Sequence, residues 1–126
     1  MTSIESLTKR IGNTLLVWSI ASIIVGFALY FFSFDPLFQG MGFQAMLWGG
    51  IDLVVFFTVL KRRQHDLEKI KQELTISIRL EVIYLIIGLL ILLFMGQDPY
   101  FAGHGYGIII QGLFLIFLDL YYYRSL

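Results

Sequence analysis

The sequence predicts an all-α membrane protein, a four-transmembrane-helix bundle built from two tandem helical hairpins. Three observations lead there. Hydrophobic residues make up 58% of the 126 and charged residues 14%, with a mean hydropathy of +0.80. That is more apolar surface than a compact 14.5 kDa body can hide from water. The charged residues are also bunched, leaving four nearly uncharged stretches at 12–34, 41–60, 76–97 and 106–123. Each approaches or exceeds the roughly 20 residues a helix needs to cross a ~30 Å hydrocarbon core, and none alternates polar and apolar as a barrel strand does. Finally, the phrase DPLFQGMG at Asp35 returns as DPYFAGHG at Asp98, 63 residues later and half the chain length away.

Taken in order, the first span follows Lys9 and Arg10. Its apolar run is too long for a secretory signal and no small-x-small cleavage site follows, so it reads as a retained anchor. Ahead of it, Thr2 and Glu5 make a capping-box pattern, and Ile4, Leu7 and Ile11 share a face. They predict an amphipathic start lying near the inner surface. The second span carries Gln44, Trp48 and Asp52 at i, i+4 and i+8 on one face. Between Lys61 and Arg79 there is neither glycine nor proline, and Leu67, Ile70 and Leu74 recur at helical spacing opposite Lys69, Lys71 and Glu73. With Asp66 as N-cap, the third helix should project below the membrane. The fourth span repeats the glutamine-to-aspartate spacing in Gln111 and Asp119. The tyrosines at 121–123 and the Phe/Tyr cluster near 30–34 read as interfacial belts.

Orientation follows from charge. Lys9 and Arg10 precede span one, Lys61, Arg62, Arg63, Lys69, Lys71 and Arg79 lie between spans two and three, and Arg124 follows span four. The two opposite loops hold no basic residue. The positive-inside rule then predicts a multi-pass protein of the cytoplasmic (inner) membrane with both termini in the cytoplasm.

At an offset of 63, Asp35 meets Asp98, Pro36 meets Pro99, and Gly40, Gly42 and Gly49 meet Gly103, Gly105 and Gly112. The expected units are therefore residues 1–63 and 64–126, each a hairpin, related by a pseudo-two-fold axis along the membrane normal. Both copies of the phrase are expected as outer loops, with proline discouraging helix before it and glycines permitting the reversal. Turn chemistry retained from duplication explains the phrase; a binding role for Asp35, Asp98 and His104 at the outer face is the other reading.

Inside the membrane the polar candidates are Gln44, Trp48, Asp52, Glu81, Gln111 and Asp119. Asp52 lies nine residues from Lys61, roughly 13 Å at the helical rise, which sets it near mid-membrane. A carboxylate there costs about 2.5–3.5 kcal/mol, so it should face the bundle interior, be protonated, or find a partner such as a tyrosine, a glutamine or Arg79. Small residues, including Ser22, Gly26, Ala45, Gly49 and Gly50, are expected where helices approach.

Several chemistries are excluded. There is no cysteine, hence no disulfide or thiolate ligand. His65 and His104 fall on opposite sides outside the expected spans, which does not suit a membrane haem. No nucleophile set, metal-ligand cluster or phosphate-binding glycine loop is present, so neither an enzyme, a metal nor a cofactor is expected. A formal net charge of zero gives no reason to expect nucleic acid.

LWGGID in span two and FAGHGYGIIIQGLFLIFLDL through span four resemble a family of small four-helix prokaryotic integral membrane proteins of unknown function. The resemblance implies that Gln44, Trp48, Asp52, Gln111 and Asp119 match positions where that family tends to be polar or aromatic. Small multidrug transporters and fluoride channels have a similar size, but this chain has neither a glutamate in the middle of span one nor a balanced charge distribution. Two function classes follow. The first is a structural or accessory membrane protein, set in the lipid bilayer and joined in a homo-oligomer or larger membrane complex. The alternative is an oligomeric proton- or cation-linked small transporter using Asp52, Glu81 and Asp119.

Overall fold

The computed structural model describes residues 3–61, 63 and 66–126. Helix α1 covers Ile4–Phe32 and α2 covers Pro36–Val55, continuing through one π-helical turn at Phe56–Leu60; α3 covers Leu67–Met95 and α4 covers Pro99–Ser125. All four are long and apolar enough to cross a membrane. This is the arrangement of a multi-pass membrane protein.

The helix starts are written in capping chemistry. Ser3 accepts from the Ser6 amide at 3.1 Å, Asp35 from Leu37 at 2.9 Å, Asp66 from Glu68 at 3.1 Å and Asp98 from Tyr100 at 2.9 Å. Each bond satisfies an amide that has no partner inside its own helix. Asp66 caps α3 as expected, whereas Thr2 lies outside the described residues and Ser3 caps α1. Pro36 and Pro99 occupy the first helical positions, where a missing amide hydrogen costs nothing.

That chemistry corrects the expectation for the repeated phrase. The connections within the two hairpins are only 33–35 and 96–98, so DPLFQGMG and DPYFAGHG are the opening turns of α2 and α4, not loops. No glycine among the described residues has positive φ. These glycines serve close approach instead. A Cβ on Gly40 would strike the Tyr100 carbonyl oxygen of α4, and one on Gly103 would strike the Leu37 carbonyl oxygen of α2. Each helix thus seats its backbone on the other's, the contact lipid-embedded helices use when no hydrophobic force drives them together. The same device joins α1 to α2, where a Cβ on Gly26 would lie 2.6 Å from the Gly42 carbonyl oxygen. Gly50, by contrast, has nothing within 4 Å and is no packing site.

Along most of the bundle large side chains point outward, among them Phe32, Leu93, Phe94 and Phe117, while Ser19, Ser22, Gln44, Asp52, Glu81 and Gln111 are buried. This inverts a water-soluble protein and suits lipid. The exception is the end where the start of α1, the start of α3 and the end of α4 meet. There Leu7, Ile11, Ile70, Leu74 and Tyr122 form a conventional apolar core. At 29 residues each, α1 and α3 run to about 43 Å, beyond a ~30 Å hydrocarbon layer. Leu7 and Ile11 therefore face α3 and α4 as the first turns of one continuous helix. They do not form a separate segment lying on the membrane. Tyr122 is likewise core, bonded to Thr8, while Tyr121 is exposed.

Candidate functional site

Helix α2 packs against α1 on one side and α4 on the other, and α4 packs against α3. This order leaves two seams. The first, between α1 and α4, is bridged by hydrogen bonds beside a smaller, mostly apolar cavity of about 210 Å³. Trp18 stacks on Phe114 with ring centroids 3.9 Å apart, and its indole N–H donates to Gln111 Oε1 at 2.9 Å. Gln111 Nε2 donates in turn to Ser22 Oγ at 3.2 Å.

Gln44 and Trp48 join as their spacing predicts, with the indole donating to Gln44 Oε1 at 3.0 Å. The other end of the amide meets His104 Nδ1 at 2.7 Å. His104 was expected in an outer loop; it sits instead within α4 and holds α2 to it. Asp35 and Asp98 are spent on capping, with their first oxygens bonded to the helices they start. The three outer-face candidates are thus not brought together as a site.

The carboxylates behave differently. At the second seam, between α2 and α3, Trp48 meets Tyr84 edge to face at 4.8 Å. Below that contact a cavity of about 450 Å³ opens, lined by Asp52 of α2, Glu81 of α3 and Asp119 of α4. Helical periodicity delivers each inward: Asp52 lies one turn below Trp48, and Glu81 continues the buried stripe of Ile70 and Leu74. Asp52 is 3% exposed and Glu81 6%. Asp119, from α4, lines the same cavity as Glu81 of α3. Asp52 Oδ2 and Glu81 Oε1 are buried with no donor among the described residues.

Arg79, an expected partner for Asp52, is exposed and forms no ion pair with it. The cation that does reach the cavity is Arg63, which pairs with Glu73 at 2.9 Å and lies near Asp119. Its guanidinium sits 5.6 Å over the Tyr122 ring. Trp18 and Tyr84 escaped the sequence reading, which named Ser22 only as a packing residue and Arg63 only as a mark of orientation. Each acts through a different helix, and helix-internal spacing carries no signal for that.

Among the described residues no group of carboxylates and histidines is arranged to hold a metal ion. The arrangement suits proton exchange: three carboxyl groups line one cavity with room for several water molecules.

The model of a family of unknown function, DUF6992, matches residues 14–120. The chain belongs to this family. The matched region contains all three cavity carboxylates and the residues that meet at both seams. No curated protein and no solved structure matches the chain.

Proposed function

We propose that this protein is a small proton-linked transporter that exchanges protons through Asp52, Glu81 and Asp119. The observation carrying the proposal is that carboxyl groups from three helices converge on one cavity with two of their oxygens lacking a donor. A carboxylate in a membrane helix costs about 2.5–3.5 kcal/mol, and a bundle held together for its own sake would give such groups partners. Gln44 and Gln111 have them. The accessory reading leaves the difference unexplained.

In this reading the chain lies in the cytoplasmic membrane with its basic ends inward, and the cavity belongs to the cytoplasmic half. Two tandem hairpins, 1–63 and 64–126, are related by a pseudo-two-fold along the membrane normal. The reciprocal seating of Gly40 on Tyr100 and Gly103 on Leu37 supports that relation, since both glycines and both carbonyls are 63 residues apart. The α2–α4 glycine contact closes the outer half, so the conformation faces inward. An outward state would require the helices to rock about that contact. A second copy would complete the pathway, since four helices enclose little space.

The test measures proton flux in sealed vesicles beside detergent melting. Asp52→Asn should keep stability within about 0.5 kcal/mol, because the amide preserves volume, while flux falls at least about tenfold. Unchanged flux with unchanged melting would reject the proposal and return the accessory reading. Orientation is tested by cysteines at the exposed positions Phe34 and Gln97, labelled from outside, and at Glu68, labelled only after permeabilisation. Ala102 is buried and unsuitable as a probe.

A further inference from the structure

A second pocket, of about 360 Å³, lies at the basic end between the start of α1 and the π-helical end of α2. Its polar wall is Lys9 and Asn13 of α1 with Lys61 and Arg63 of the chain leaving α2, and its floor includes Gly12, Phe56 and Leu60. Glu5 is the carboxylate on its rim. Arg63 commits one nitrogen to Glu73 at 2.9 Å, and its side chain is only 8% exposed. Its Nε is buried with no acceptor among the described residues. A buried guanidinium N–H without an acceptor calls for an anion beside it.

We infer that this pocket binds the headgroup of an anionic phospholipid through its phosphodiester. The charge fits: Lys9, Lys61 and Arg63 set against Glu5 and Glu73 leave one positive charge in excess, the complement of a single phosphodiester. The depth fits as well. The pocket sits where the apolar run of α2 gives way to Lys61, the level at which bilayer phosphates lie. Beside it Phe57 is 51% exposed and carries the Lys61 ammonium 5.5 Å from its ring. An acyl chain can therefore descend along that apolar surface from a phosphate held by Lys9 and Lys61, a contact free phosphate cannot use. The inference does not use Asp52, Glu81 or Asp119 and shares only Arg63 with their cavity, which the Lys9 and Lys61 substitutions of the test leave in place.

The test melts the purified protein in nonionic detergent with added short-chain phosphatidylglycerol, phosphatidylcholine or inorganic phosphate. Phosphatidylglycerol should raise Tm by about 5 °C. The rise should vanish in Lys9→Gln/Lys61→Gln and persist in Lys69→Gln, which changes an exposed lysine outside the pocket. In native mass spectra the double variant should retain about 25-fold less phosphatidylglycerol, at roughly fivefold per basic side chain. Equal protection by phosphatidylcholine would overturn the inference, as would equal loss in Lys69→Gln. Equal protection by inorganic phosphate would replace the lipid with a free anion.

Discussion

The two seams of the bundle start from similar materials and end differently. Each pairs the first helix of one hairpin with the second helix of the other, and each carries a tryptophan. Between α1 and α4, Trp18 stacks flat on Phe114, and Gln111 ties the indole to Ser22 so that both ends of its amide are used. Between α2 and α3, Trp48 spends its N–H within its own helix on Gln44 and touches Tyr84 only by an edge. Below it Asp52, Glu81 and Asp119 line the larger cavity. Both seams border a cavity, about 210 Å³ at the first and about 450 Å³ at the second. The amide of the first has its partners, whereas Asp52 Oδ2 and Glu81 Oε1 of the second have no donor among the described residues, at a cost in stability. Groups kept at such a cost mark function more reliably than groups that are merely polar.

Substitutions can break this contrast. The largest effect should come from Gly103→Leu, which thrusts a side chain into the Leu37 backbone and parts α2 from α4, disturbing both seams at once. A loss of about 3 kcal/mol in detergent melting is expected, and wild-type melting would show that the glycine contact is loose. Gln111→Leu comes next. It strands the Trp18 N–H and the Ser22 hydroxyl and should cost about 1–2 kcal/mol. Asp52→Leu should have the opposite sign, stabilising by up to about 1 kcal/mol, because it replaces an undonated carboxyl with an apolar group beside a cavity that can take the volume. If both leucine variants destabilise equally, the two seams do not differ in kind. The smallest effect should be at Gly50, where alanine meets nothing and should gain roughly half a kcal/mol or more of helix propensity.

The four spans were legible because a helix in lipid needs little beyond length and apolar composition: 41–60 and 106–123 fall inside observed helices, and 12–34 and 76–97 overrun the ends of α1 and α3 by two residues each. The errors lay at the ends. Paired glycines after proline were read as a reversal, the reading that water-soluble chains teach. Here Asp35-Pro36 and Asp98-Pro99 are an N-cap and a first helical residue, so the helices begin there and the glycines that follow face a neighbouring backbone. The stripe of Gln44, Trp48 and Asp52 was also legible as a stripe, but not its division of labour. Gln44 is satisfied by His104 from α4, Asp52 is satisfied by nothing described, and both outcomes depend on which helix lies opposite. Tyr122 reads as part of an interfacial belt because it stands in a run of three tyrosines at a span end, and only the docking of α1 against it makes it core.

The apolar core of Leu7, Ile11, Ile70, Leu74 and Tyr122 gives the molecule two kinds of cohesion. Where helices meet in lipid, unpacking exposes side chains to hydrocarbon, so neither a large heat-capacity change nor a steep response to urea accompanies it. Where this core opens, side chains enter water and both signatures appear. Urea and cold should therefore loosen the first turns of α1 and α3 while the spans remain helical. That end can detach without the protein leaving its membrane.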